Sequence, residues 1–119
     1  MEKLQNYING ELVAPEGGEY LDNFDPSRGE VYSLIPDSDA ADVEMAVRAA
    51  KDAFPGWSIT SIQERSKIMV RISELIGENL ERLAAAESRD NGKPVSLAKA
   101  VDIPRAQANF YFYATAILH

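Results

Sequence analysis

The sequence predicts an α+β chain: β-hairpins over residues 1–36, then three or four helices over residues 38–119. Two observations predict this. The first third holds short apolar segments paired across Asn-Gly and Pro-to-Gly turns. At Ser38 the apolar period changes from two to about 3.6.

The first hairpin is read from Tyr7-Ile8-Asn9-Gly10-Glu11-Leu12-Val13, where Asn and Gly both tolerate the positive φ of a tight hairpin turn. Pro15-Glu16-Gly17-Gly18 breaks its second strand. Tyr20–Phe24 and Glu30–Ile35 form a second pair across Asp25-Pro26-Ser27-Arg28-Gly29, in which Pro presets φ and Gly supplies the permissive position. Two-stranded units are marginal in water, so these hairpins need a surface to lie on.

Val43, Ala46, Val47, Ala50 and Phe54 mark the first helix, with Ser38 or Asp39 as N-cap and Pro55-Gly56 as its stop. Ser61-Ile62-Gln63-Glu64 fits a reciprocal capping box for the second, whose apolar stripe is Ile68, Met69, Ile72, Leu75 and Ile76. A break is expected near Gly77, and Gly92 with Pro94 ends the following helix. The last segment begins at Ser96, is interrupted near Asp102-Ile103-Pro104, and places Ile103, Ala106, Phe110, Tyr113 and Ile117 on one face to be buried. It stops at Ile117-Leu118-His119 without Gly, Pro or a polar terminator, which suggests the front end of a longer protein.

Composition removes much chemistry. There is no cysteine, and the single histidine is His119 at the very end, so thiol nucleophiles, disulfides, Cys-based zinc sites and a well-held His base are excluded within these residues. Twelve basic against nineteen acidic residues give a net charge of -7, which disfavours nucleic acid and anionic lipid as partners. No secretory signal opens the chain and no apolar run is long enough to span a membrane, so a cytoplasmic location is the default expectation.

Gly92-Lys93 is followed by Pro94 and lacks the upstream Gly of a phosphate loop. Asp37, Asp39, Asp42 and Glu44 lack the Gly and terminal Glu of a calcium loop and are read as charges complementing a helix start. Trp57 is read as an anchor packing the turn between two helices, and Phe110–Tyr113 as core or interface. Arg105 stands out. It follows Pro104 early in a helix, where backbone N–H groups already favour an anion, and its fork of donors suits a carboxylate from either a neighbouring Asp or a substrate.

Taken in order, five segments resemble the N-terminal part of the NAD(P)-dependent aldehyde dehydrogenase superfamily. They are Asn6-Tyr7-Ile8-Asn9-Gly10, Asp25 through Val31, Ala46 through Trp57, Gln63-Glu64-Arg65, and Glu87 through Pro94. Asp102-Ile103-Pro104-Arg105 with Asn109-Phe110 is similar to the branch that oxidises aminomuconate and hydroxymuconate semialdehydes. Asp25 stands where Asn is commoner and Ile62 where Pro often opens the helix; neither disturbs the turn or the Ser61 cap.

The resemblance implies that residues 1–119 are the N-terminal part of the cofactor-binding domain of an α/β enzyme several times longer, with the helices on one side of a doubly wound sheet. It implies oxidation of an acid semialdehyde through a cysteine thiohemiacetal, with NAD or NADP bound by the full-length protein and none by this segment. No catalytic or cofactor-binding residue is expected here, since the family's Cys, Glu and Asn lie beyond the position of His119. Arg105 would anchor the substrate carboxylate. Asn23, Phe24 and Asp90 match positions that hold a monovalent cation in some members. The parent is expected to be a homo-oligomer, and the isolated segment to self-associate through helix faces that have lost their sheet. The competing reading is a stand-alone helical interaction module that docks a partner through the aromatic helix; a small carboxylate acid/base enzyme is a third, without geometric support.

Overall fold

A computed structural model describes every residue from Met1 to His119. The chain divides into two compact units, Met1–Ile59 and Thr60–His119. The first contains β1 (Glu2–Lys3), β2 (Asn6–Ile8), β3 (Glu11–Val13), β4 (Tyr20–Asp25), β5 (Glu30–Pro36) and α1 (Ala40–Ser58).

β2 and β3 form the predicted antiparallel hairpin, with Asn6 opposite Val13 and Ile8 opposite Glu11. Asn9 and Gly10 take φ of 55° and 81°, the mirror-image turn whose twist matches that of the strands. β4 and β5 form the second hairpin, from Tyr20 opposite Pro36 to Asp25 opposite Glu30. Its turn is built on Asp25. The carboxylate accepts from Ser27 N–H at 2.9 Å and Ser27 Oγ at 2.6 Å, and the backbone carbonyl accepts from the Arg28 and Gly29 N–H groups. The Ser27 hydroxyl first, then the Ser27 N–H and the neighbouring Arg28, hold the Asp25 carboxyl below the usual carboxylate range.

The two hairpins belong to different sheets. β1 runs parallel to β5, pairing Glu2 with Ser33 and Lys3 with Leu34, so one sheet has the order β1-β5-β4 and β2-β3 stands apart. A two-residue strand carries no readable alternation, which is why the sequence does not announce β1. The β4–β5 register shifts between Asn23 and Phe24: Asn23 faces Ser33 and Phe24 faces Val31, making Tyr32 the extra residue of a bulge.

Asp39 caps α1, accepting from Ala41 N–H at 2.9 Å, while Asp42 returns the contact by accepting from Asp39 N–H at 2.9 Å. Asp42 also accepts from Glu16 N–H at 2.8 Å, which ties the Pro15–Gly18 turn to the helix start. With Asp39 N–H as the larger influence and Glu16 N–H next, the buried Asp42 carboxyl is held below its ordinary value. Contrary to expectation, Pro55-Gly56 does not stop α1, which continues to Ser58. Proline's φ is helical and its clash falls on the preceding turn, so one final turn can follow, here with Ser58 Oγ bonded to the Pro55 carbonyl at 3.0 Å.

The second unit contains α2 (Ile62–Glu78), α3 (Leu80–Asn91), the short α4 (Val95–Leu97), a π-helical segment Ala98–Asp102, and α5 (Ile103–Ala116). Ser61 caps α2 by accepting from Glu64 N–H at 3.1 Å; the return contact from the Glu64 carboxylate is not made. The break expected near Gly77 falls at Asn79, whose Nδ2 donates to the Leu75 carbonyl at 2.8 Å. Gly92, at φ 77°, ends α3 as predicted.

α2 and α5 meet through small and polar residues. Ser66 Oγ donates to the Ala114 carbonyl at 2.7 Å, Ser73 Oγ donates to the Gln107 carbonyl at 3.0 Å, and the Gln107 amide fills the space that a side chain at Gly77 would need. Ser66, Ser73, Ala84, Ala98 and Ala114 are buried, whereas Phe110, Tyr113 and Ile117 of the predicted apolar face are exposed and only Ile103 and Ala106 are half-buried. Small residues let the helix backbones approach, and Gln107 with Ala114 therefore define the packed face of α5. No helix is long and apolar enough to cross a membrane.

Candidate functional site

The segment around Arg105 is assembled by the turn after α3. Gly92 redirects the chain, Lys93 N–H donates to Asn91 Oδ1 at 2.8 Å, and the Lys93 carbonyl accepts from Ser88 Oγ. From this held position Lys93 Nζ reaches Asp102 Oδ2 at 2.8 Å, in a pair about one-third and one-quarter exposed, 34% and 26%. Lys99, on the π segment, pairs with Glu81 of α3.

Arg105 lies in the first turn of α5, next to Pro104, and is exposed. Its guanidinium makes no ion pair within the chain; Asp102, three residues earlier, is engaged by Lys93 instead. The expected free helix start before Arg105 is not present. Ile103 N–H is bonded to the Ala98 carbonyl and the backbone is helical from Leu97 through Ile103, so α5 continues an existing helical run. Its start offers no row of free N–H groups to an anion, and what remains there for a carboxylate is the Arg105 fork itself.

The three positions matched to a cation fall in separate units. Asn23 and Phe24 lie on β4 opposite the β5 bulge at Tyr32, and Asn23 Nδ2 donates to Tyr32 OH and Ser33 Oγ, both at 3.0 Å. Asp90 lies in the last turn of α3. No group of three His, Cys, Asp or Glu side chains is arranged to hold a metal ion. Among the acids at the start of α1, Asp39 and Asp42 form the capping box and Glu44 pairs with Arg48 at 3.4 Å, in keeping with a helix-start role.

Trp57, expected to anchor an interhelical turn, sits inside the last turn of α1 and is 47% exposed. Tyr111, Phe112 and Tyr113 are exposed, the last two meeting edge to face with centroids 5.2 Å apart. The Lys93–Asp102 pair is not legible in the sequence. No local pattern marks it, because the two charges stand nine positions apart and the chain between them passes through a turn and a π segment.

The aldehyde dehydrogenase family model matches residues 12–119. The 2-aminomuconic semialdehyde dehydrogenase of Bos taurus is 50% identical over 116 residues, which is 98% of this chain and 23% of that protein. The Homo sapiens protein of the same name is 45% identical over the same shares. An NAD+ complex of aldehyde dehydrogenase from Bacillus cereus superposes with a TM-score of 0.92 at 33% identity, covering 96% of this chain and 24% of that one. The chain thus spans about a quarter of the length of the proteins it matches.

Proposed function

The chain belongs to the aldehyde dehydrogenase family, and from that premise we propose that the whole protein oxidises an acid semialdehyde to the corresponding carboxylate with NAD(P). Residues 1–119 contribute the N-terminal part of its cofactor-binding domain. The cysteine that forms the thiohemiacetal and the glutamate base belong to residues beyond these 119, which contain no cysteine. The bound nicotinamide supplies the hydride acceptor; no residue of this segment is assigned to it, and its choice between NAD and NADP is made elsewhere in the protein.

The part assigned to this segment is substrate orientation. The Arg105 guanidinium donates two parallel N–H bonds to the carboxylate remote from the aldehyde, fixing the distance and angle at which the carbonyl meets the nucleophile. The open, exposed Arg105 fork is the observation that carries this reading. In the full-length enzyme, Arg105→Ala should raise KM for a carboxylate-bearing semialdehyde by about tenfold to a hundredfold, the worth of charge-assisted hydrogen bonds, with a small change in kcat. An equal effect on an uncharged aldehyde would refute it.

The Asn23 and Phe24 carbonyls are oxygen donors of the kind a hard monovalent cation takes, and they lie where the β4–β5 ladder is interrupted opposite Tyr32. The enzyme is placed in the cytoplasm, where a catalytic thiol stays reduced, and acts on small molecules as a homo-oligomer. The exposed Val43, Val47, Phe54 and Trp57 of α1 and Tyr111 and Phe112 of α5 are faces covered in the whole protein. The isolated 119-residue chain should therefore self-associate. Sedimentation as a compact monomer that binds no hydrophobic dye would contradict this.

A further inference from the structure

We propose that Lys93 is a positioning residue that keeps the Arg105 guanidinium open to an anionic substrate by holding the Asp102 carboxylate away from it. The inference rests on Arg105 binding the substrate carboxylate. Asp102 and Arg105 stand three residues apart in one helical run, with φ and ψ of -65° and -51° at Asp102 and -71° and -44° at Ile103. That spacing puts an acid and a base on neighbouring positions of one face, within reach of an ion pair. Arg105 nevertheless makes none, and Asp102 is 2.8 Å from Lys93 Nζ.

The competition favours Lys93 for two reasons. Its backbone is fixed by Asn91 Oδ1 and Ser88 Oγ, so the turn presents the Lys93 side chain to Asp102 without further backbone ordering. The Lys93–Asp102 pair is also partly withdrawn from water, where attraction is stronger than at the exposed Arg105. The other cation one turn from Asp102, Lys99, is engaged by Glu81. With Lys93 removed, the half-buried Asp102 carboxylate would turn to Arg105 and compete with the substrate for the same fork.

The test uses the full-length enzyme with an acid semialdehyde and an uncharged aldehyde of similar length. Lys93→Met should raise KM for the acid semialdehyde about fivefold, the scale of a surface ion pair, and leave kcat and the uncharged aldehyde unchanged. Asp102→Asn should leave KM at or below the wild-type value, and the Lys93→Met/Asp102→Asn double variant should regain it. An unchanged KM in Lys93→Met, a double variant as poor as the single, or a rise in KM from Asp102→Asn alone would each overturn the proposal. If Lys93→Met yields no folded enzyme, Lys93→Gln with and without Asp102→Asn makes the same comparison. Arg105→Ala run in parallel separates the two readings. A normal KM there defeats both, whereas a raised KM with a silent Lys93→Met defeats only the role of Lys93.

Discussion

The units Met1–Ile59 and Thr60–His119 both keep their large apolar side chains largely uncovered, yet they are held together differently. In the first, Ile8 is the only buried large apolar residue, and the buried acids Asp25 and Asp42 organise the chain by accepting backbone N–H bonds at a hairpin turn and a helix start. In the second, buried Ala84, Ala98 and Ala114 bring helices close and Ser66 and Ser73 bond to carbonyls of α5. One unit is fixed by ionised carboxylates that accept backbone N–H bonds, the other by neutral close packing between helices. A charge-dependent perturbation should discriminate between them, and so should a volume-dependent one.

The largest effect is expected from volume. Ala114 is fully buried against α2, so Ala114→Leu should destabilise the helical unit by about 1–3 kcal/mol, the cost of overpacking. The loss of helical signal in chemical denaturation measures it, and an unchanged midpoint would show that the α2–α5 interface yields more easily than its close packing implies.

Acid should act on the other unit. The Asp25 and Asp42 carboxyls are held below the ordinary aspartate range in the folded form, which therefore binds fewer protons there than the unfolded form does. Their contribution is present above about pH 4 and is lost as pH falls below the unfolded value and through the folded ones. Trp57, the only tryptophan, lies in this unit and reports it. The melting temperature followed through Trp57 should fall between about pH 5 and 3, and Asp42→Asn should flatten that dependence while lowering stability at neutral pH. A pH profile unaltered by Asp42→Asn would remove the buried carboxylate from the explanation. In the helical unit Glu78 and Glu74 hold the Arg71 guanidinium more firmly charged, a group that titrates far above this range.

The smallest effect belongs to a single neutral hydrogen bond. Ser66→Ala removes the 2.7 Å bond to the Ala114 carbonyl and should cost about 1 kcal/mol, independent of pH. Acid-dependent destabilisation by this variant would blur the division between the units.

The same difference explains which features could be read in advance. Asn9-Gly10, the Asp25–Gly29 turn, the caps at Asp39 and Ser61, and Gly92 are legible because a few adjacent residues decide the backbone there. Extension of α1 through Pro55, the parallel pairing of β1, the π segment and the packed face of α5 are not, because each is settled by partners far along the chain or by the sum of many weak terms. Arg105 was identifiable from residue type and resemblance, but the expected help from a helix N-terminus is absent because α5 continues from the π segment.

Sequence by itself determined the order of hairpins and helices, the family resemblance, the absence of a thiol, and Arg105 as the cation to examine. Tertiary structure decided which carboxylates are buried, that small residues rather than the aromatic stripe form the helix contact, and that Lys93 rather than Arg105 holds Asp102. The physical reason is range. Turn and cap preferences act over two to four residues and are written locally, whereas the partner of a charge depends on which side chains the folded backbone brings within a few ångströms and on how much water remains between them.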